Sequence, residues 1–214
     1  MKITWIGHSC FQIATDVGTV VTDPFAKEVP YKFPQLSADI VAVSHGHHDH
    51  NAVDRVGGHP KVVQTEGTHS VAKGLRITGI PSLHDDAGGT RRGKNLIFVI
   101  EAEQMVLAHL GDLGVPLTPE QRDALLRVDV LFAPVGGYYT IDAATAAALV
   151  RSLPSVRVVC PMHYRTDRNP DWPIAPVDDF LRTMDNVRHI GSSSVILTRE
   201  TLPEALEVWV LDHA

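Results

Sequence analysis

Cysteine is scarce: Cys10 and Cys160 are the two in 214 residues, they form no C-x-x-C pair, and they cannot supply a disulfide framework. Each lies among strand-forming apolar residues, which predicts two buried free thiols. Long hydrophobic runs are also missing. No stretch approaches the roughly 18 consecutive apolar residues that a membrane span requires, so no membrane association is expected. The opening Met1-Lys2-Ile3-Thr4-Trp5 leads into a polar, glycine-broken stretch. It lacks the apolar core and small-residue cleavage site of a secretory signal, and the expected location is cytoplasmic. Basic charge is in deficit, with 19 Lys+Arg against 25 Asp+Glu and a formal net charge of -6. Such a chain has little long-range pull on phosphate backbones, which argues against nucleic-acid partners. No linker, repeat or low-complexity segment breaks the sequence, so one domain over residues 1–214 is expected. With 44% hydrophobic and 21% charged residues the chain has an ordinary globular composition, and disorder or collagen-like repetition is excluded.

The elements follow from punctuation and periodicity. Lys2 to Ile6, Cys10 to Ala14 and Thr19 to Thr22 read as a β-meander broken by Gly7-His8-Ser9 and Asp16-Val17-Gly18. Ile40 to Ser44 is a short apolar run suited to a fully buried strand. Further on, Val62-Val63 reads as a strand fragment and Thr68 to Lys73 as a short helix. Leu75 to Ile80, Leu96 to Ile100, Met105 to His109, Val130 to Ala133, Val156 to Cys160, Ser194 to Leu197 and Leu206 to Leu211 read as strands. Thr118-Pro119-Glu120-Gln121 has the form of a capping box and opens a helix to about Leu126. Asp142 caps an alanine-rich helix to Leu153, and Val177 to Met184 reads as another. A β-rich opening followed by alternating strands and helices gives an α/β protein with sheets inside and helices outside.

Histidine is what the chain has in excess: 12 residues, four of them within His45-Gly46-His47-His48-Asp49-His50. This H-x-H-x-D-H pattern directly follows a predicted buried strand, with Asn51-Ala52 expected to lead into a helix. Imidazole nitrogens and carboxylate oxygens are the ligands of zinc and neighbouring metals. Five potential ligands in six residues are too many for one tetrahedral ion to use from a single loop, so the spacing suggests two ions sharing it. Further ligands stand at other strand ends: His84 in Pro81-Ser82-Leu83-His84-Asp85, Asp112 in His109-Leu110-Gly111-Asp112, and His163 in Cys160-Pro161-Met162-His163-Tyr164. Alone, each would be an ordinary buried histidine or a turn aspartate. Their recurrence at the carboxyl ends of strands, where open α/β sheets place ligand crevices, points to one site. Asp112 is the candidate carboxylate to bridge two ions.

These motifs resemble the metallo-β-lactamase superfamily, whose signature is H-x-H-x-D-H followed by a His, an Asp and a His. More narrowly, Trp5-Ile6-Gly7-His8-Ser9, His109-Leu110-Gly111-Asp112-Leu113-Gly114 and Pro134-Val135-Gly136-Gly137-Tyr138-Tyr139-Thr140 are similar to the small bacterial hydrolases of the ascorbate-6-phosphate lactonase-like branch. The resemblance implies a four-layer αββα sandwich with metals along one edge. It implies His45, His47 and His84 on a first divalent ion, Asp49, His50 and His163 on a second, and Asp112 between them. Zinc is the expected metal, with manganese, iron and nickel also suited to such donors. Asp49 would orient the attacking hydroxide and relay its proton.

Weaker expectations attach to other residues. His8 is a candidate for the cleft wall, and His109 and Asp23 are candidates to buttress ligands from behind. Arg91, Arg92 and Lys94 are candidates for an anion contact on the substrate, against a plain solvated hairpin tip. Tyr138, Tyr139 and Tyr164 are candidates for the pocket mouth. The leading function is a metal-dependent hydrolase of a small ester-, lactone- or phosphodiester-type substrate, in a chain compatible with homo-oligomers. The alternatives are a nuclease of the same superfamily, disfavoured by the acidic balance, and a non-catalytic metal-binding protein. An oxygen- or nitric-oxide-reducing role would need an electron-delivery domain for which 214 residues leave no room.

Overall fold

The computed structural model describes residues 1–72 and 74–214. The first sheet takes its strands mainly from the N-terminal quarter: β1 (Lys2–Gly7), β2 (Cys10–Thr15), β3 (Gly18–Thr22), β4 (Ile40–Ala42) and β5 (Lys61–Val63). The second contains β6 (Gly67–Ala72), β7 (Leu75–Leu83), β8 (Lys94–Ala102), β9 (Met105–His109), β10 (Val130–Pro134), β11 (Val158–Met162) and β12 (Val187–His189). Late in the chain β13 (Ser194–Ile196) returns to pair with β1, and β14 (Glu207–Val210) enters the second sheet between β11 and β12. Among the described residues the helices are α1 (Pro119–Ala124), α2 (Ala143–Arg151) and α3 (Asp178–Leu181).

Strand order is β13-β1-β2-β3-β4-β5 in one sheet and β12-β14-β11-β10-β9-β8-β7-β6 in the other. The opening meander is antiparallel, β1 on β2 and β2 on β3, and turns parallel at β3–β4–β5. The second sheet is antiparallel from β6 to β9 and parallel from β9 through β10 and β11 to β14. Alternation decides how they pack. Ile3, Trp5, Phe11, Ile13, Val20 and Ile40 point to a core shared with the second sheet, and Phe11 meets Phe132 at a ring-centroid distance of 4.3 Å. The opposite face of the first sheet, with Ile6, Cys10, Val21 and Val41, packs against Phe25, Val29, Tyr31 and Val56. Both cysteines are buried and free, and burial pushes the Cys160 thiol up to about 12. Phe11→Ala removes a fully buried ring from between the sheets. The expected loss is about 3–5 kcal/mol of unfolding free energy, read by urea denaturation of the metal-loaded protein.

The αββα plan is present, with modest helices. β10 and β11 are buried along their whole length, and Ala146, Ala147, Leu149 and Val150 of α2 and Phe180 of α3 join the main core. Thr118 and Gln121 form the expected capping box, and the Asp142 side chain accepts from the Thr145 amide at 2.8 Å. Several expectations need correction. Residues 68–72 are strand, not helix, because Gly67–Ala72 pairs antiparallel with β7 through a turn that holds Gly74 at φ +92°. Lys73, the last residue of that expected helix, lies outside the described residues. After Asn51-Ala52 the chain makes a 3-10 turn at Val53–Arg55 and continues extended at Val56. Over residues 177–184 only Asp178–Leu181 is α-helical, and β12 adds an edge strand that its short, polar Val-Arg-His sequence conceals.

Candidate metal centre

The site lies where strands end together. His8 follows β1, Asp23 follows β3, the H-x-H-x-D-H loop follows β4, His84 follows β7, Asp112 follows β9 and His163 follows β11. Parallel pairing of β3 with β4, and of β10 with both β9 and β11, brings their carboxyl ends to one edge. Turning sharply there requires unusual backbone: His8, Asp23 and His163 have φ of 52°, 42° and 51°. Non-glycine residues held in this left-handed region carry strain and gather at functional sites. Glycines permit close approach. A Cβ on Gly114 would lie 2.3 Å from the His84 carbonyl, and one on Gly136 would lie 2.2 Å from that of His163.

Two donor sets meet at Asp112. The ring nitrogens of His45, His47 and His84 gather within 4.8 Å of one another, as do donors of His45, His50 and Asp112. Nε2 of His50, His84 and His163 each lie 3.3 Å from Asp112 Oδ2, with His45 Nε2 at 4.0 Å. The His45 and His50 Nε2 atoms and Asp112 Oδ1 are buried without any hydrogen-bond partner. Buried polar atoms are normally satisfied. Donors bonded to one tetrahedral ion at about 2.0–2.1 Å stand roughly 3.3 Å apart. Spacing, orphaned nitrogens and donor chemistry therefore fit divalent metal. Asp49 Oδ2 lies 3.7 Å from His50 Nε2 and 3.2 Å from His8 Nε2. His8 is itself buried, with donors within 4.8 Å of those of His50 and His163.

The support behind these rings is continuous. Asp23 is fully buried; its carboxylate accepts from the Ser44 amide at 2.7 Å and the Ser44 hydroxyl at 2.6 Å, and pairs with His50 Nδ1 at 2.9 Å. Ser44 also reaches His45 Nδ1 at 2.9 Å. A carboxylate on Nδ1 fixes the tautomer that leaves Nε2 free to bind metal. Asn95 Oδ1 accepts from the Asp112 amide at 2.9 Å, while its Nδ2 donates to Ser82 and to the Leu110 carbonyl. His109 lies deeper. Its Nε2 contacts the Ser9 carbonyl at 2.8 Å and its Nδ1 accepts from the Gly111 amide, 4.0 Å from Asp23. Ser44 and Asn95 escape sequence reading, since nothing in their neighbours distinguishes them from ordinary strand-end polar residues.

A cavity of about 420 Å³ opens over this cluster, lined by His47, Asp49, His84, Asp112 and His163 and walled by Glu28, Val29, Tyr139, Trp172 and Pro173. Of the three basic candidates, Arg92 alone lines it; Arg91 pairs with exposed Asp86. Lys94 faces the neighbouring groove beside His45. Tyr139 sits at the mouth, while Tyr164 is buried against Trp5 with a centroid separation of 5.3 Å. Trp172, absent from the sequence reading, packs edge-on against His8 at 5.2 Å.

Charge in the cluster is strongly coupled. Burial, aided by His163, pushes His8 down to about 4, and burial with His50 pushes His45 down to about 3. Burial opposes charge on His50 too, but Asp112 and Asp23 outweigh it and raise that ring well above the usual range. Asp112 is held low against burial by His163 and His50. For His8 and His45 the folded value lies below the usual 6.5, so the unfolded chain binds more protons in that window. Their contribution is present above about pH 6.5 and is lost on acidification toward about pH 3–4. Chelated, metal-free protein is expected to show a melting temperature that falls as pH drops through this window.

A family model described as a β-lactamase superfamily domain matches residues 2–163. A UPF0173 metal-dependent hydrolase of Methanoculleus marisnigri is 32% identical over 188 residues, covering 78% of this chain and 82% of the relative. Another from Methanopyrus kandleri is 32% identical over 200 residues, covering 78% and 85%. Among solved structures, a Thermotoga maritima protein described as a zinc-dependent hydrolase of the metallo-β-lactamase superfamily superposes with a TM-score of 0.83 at 36% identity, covering 100% of this chain and 99% of that one.

Proposed function

Because the chain belongs to the metallo-β-lactamase superfamily and to its UPF0173 family of metal-dependent hydrolases, we propose that it holds two divalent ions and hydrolyses a small ester-, lactone- or phosphodiester-type substrate. The observation that carries this reading is the convergence on Asp112 of two histidine sets with orphaned, ligand-spaced nitrogens. His45, His47 and His84 would hold one ion, Asp49, His50 and His163 the other, with Asp112 shared. Zinc suits these nitrogen and oxygen donors best, with manganese, iron and nickel as the other fitting metals. Such ions supply Lewis acidity toward a carbonyl or phosphoryl oxygen and make hydroxide accessible near neutral pH.

The protein's own groups do the rest. Asp49, its Oδ2 held by His8 at 3.2 Å, orients the attacking water through its carboxylate and accepts its proton. Despite burial, the His8 hydrogen bond and the charge of His50 lower the Asp49 pKa, which keeps the carboxylate ionised and able to accept a hydrogen bond from that water. Val29, Trp172 and Pro173 give the cavity an apolar wall that limits competing water. Its volume fits a small molecule. The likeness to lactonases noted from the motifs makes lactones the first compounds to try.

The test is a hydrolysis screen of methyl esters, lactones and phosphodiesters against protein of defined zinc or manganese content, with chelated protein as control. Metal-dependent turnover of at least one class is expected. Stoichiometric metal binding with no turnover of any class would instead support a non-catalytic metal-binding protein.

A further inference from the structure

The loop after His84 is built around one side chain. Asp85, next in sequence to a ligand, is buried, and its carboxylate accepts four backbone amides: Ala87 at 2.8 Å and Gly89 at 2.9 Å on Oδ1, Arg91 at 3.1 Å and Arg92 at 2.7 Å on Oδ2. The Arg92 amide leads these bonds in drawing the Asp85 pKa down to about 2. A carboxylate with this many backbone donors fixes the course of the loop. Arg92 is thereby delivered to the cavity, its guanidinium carbon 5.3 Å from the centre of the Tyr139 ring. Tyr139 in turn stands 6.3 Å, ring to ring, from His163. That distance is within cation–π range of the ring, and the five N–H donors of the guanidinium suit a planar, two-oxygen partner. Arg91 has Asp86 as its partner, whereas Arg92 makes no ion pair among the described residues.

We propose that Arg92 is a carboxylate-binding subsite, so that the preferred substrate is a small monoanion with a carboxylate set a few bonds from the bond that breaks. The inference rests on the hydrolase reading of the same cavity. The other charges facing it select the anion. Asp49 and Asp112 are committed to His8 and to the ligand histidines, and Glu28 lies on the exposed rim. With Glu28 exposed to solvent on the rim, the one guanidinium balances a single negative charge and matches the two oxygens of a carboxylate in bidentate fashion. Val29 and Trp172 would contact the apolar carbons between carboxylate and ester.

The experiment pairs binding with turnover. Acetate, succinate and glutarate are titrated calorimetrically into zinc-loaded native protein, Arg92→Met and Arg92→Lys, and thermal melts verify that each variant is folded. Acetate, with one carboxylate, can engage the metal cluster or Arg92 but not both at once; a longer dicarboxylate can engage both. The native protein is expected to bind succinate or glutarate at least about tenfold more tightly than acetate, the scale of one charge-assisted pair. That ratio should collapse to within about threefold in Arg92→Met and be partly retained in Arg92→Lys. Native protein without the preference, or a preference that persists in Arg92→Met, overturns the subsite. Hydrolysis of methyl acetate and monomethyl succinate separates the two readings. If the binding ratio collapses as expected but neither ester is cleaved, the subsite stands and the ester-hydrolase reading weakens. If both esters are cleaved with kcat/KM values equally insensitive to Arg92→Met, the hydrolase stands and the subsite falls.

Discussion

Asp112→Ala is expected to cost the protein about 10³-fold or more in kcat/KM, whatever substrate the screen identifies. The residue is buried, and three histidine Nε2 atoms stand 3.3 Å from one of its carboxylate oxygens. Loss of a carboxylate shared by two ions would remove several kcal/mol of transition-state stabilisation, and each 1.36 kcal/mol is a factor of ten in rate. Bound metal should fall from two equivalents to one or fewer by elemental analysis. Metal-free stability should change far less, because the deletion relieves a buried charge while leaving the hydrophobic core untouched. Asp112→Asn is the sharper variant. It preserves volume and the Asn95 contact to the backbone amide, yet replaces an anionic candidate donor with a neutral one. An Asp112→Ala protein with native metal content and turnover would remove Asp112 from the centre.

Asp23→Asn is expected to weaken the site containing His50 by 10–100-fold in metal affinity without any change in a ligand. In the native protein one carboxylate satisfies the Ser44 amide, the Ser44 hydroxyl and His50 Nδ1 at once. A carboxamide can keep one acceptor on Ser44, but its NH₂ then faces His50 Nδ1. The ring must answer with the other tautomer, whose Nε2 carries a proton where the lone pair is needed. Calorimetric titration of zinc should show the second binding event shifted by that factor, with the first nearly unchanged. Asp23→Ala should add a stability loss of about 2–5 kcal/mol, since it leaves the buried Ser44 amide and His50 Nδ1 without their partner. Affinities for both ions unchanged from the native protein in Asp23→Asn would mean that the aspartate serves only the turn before Pro24.

The site was more legible in the sequence than the elements that carry it. The candidate donors could be picked out because each follows a short apolar run, and the structure gathers His45, His47, His50, His84, Asp112 and His163 at one edge. Asp23 was visible only as a candidate buttress, with no partner behind it named. Its partner Ser44 lies 21 residues away, and register between β3 and β4 brings them together. Arg91, Arg92 and Lys94 looked equivalent because what separates them is the Asp85 clasp, a fold of backbone amides with no sequence periodicity. Residues 68–72 were misread for a related reason. Thr-His-Ser-Val-Ala has a weak local preference, and hairpin pairing with β7 decides its state. The edge strand β12 and the outer packing of Phe25, Val29 and Tyr31 likewise depend on partners distant in sequence.

The central claim is that this one edge holds two metal ions on either side of Asp112. Anomalous diffraction at the zinc edge, on crystals of zinc-loaded protein, tests it directly. Two peaks are predicted, one against His45, His47 and His84 and one against Asp49, His50 and His163, both within bonding distance of the Asp112 carboxylate. A single peak at full zinc loading, or peaks that leave Asp112 unbonded, would contradict it.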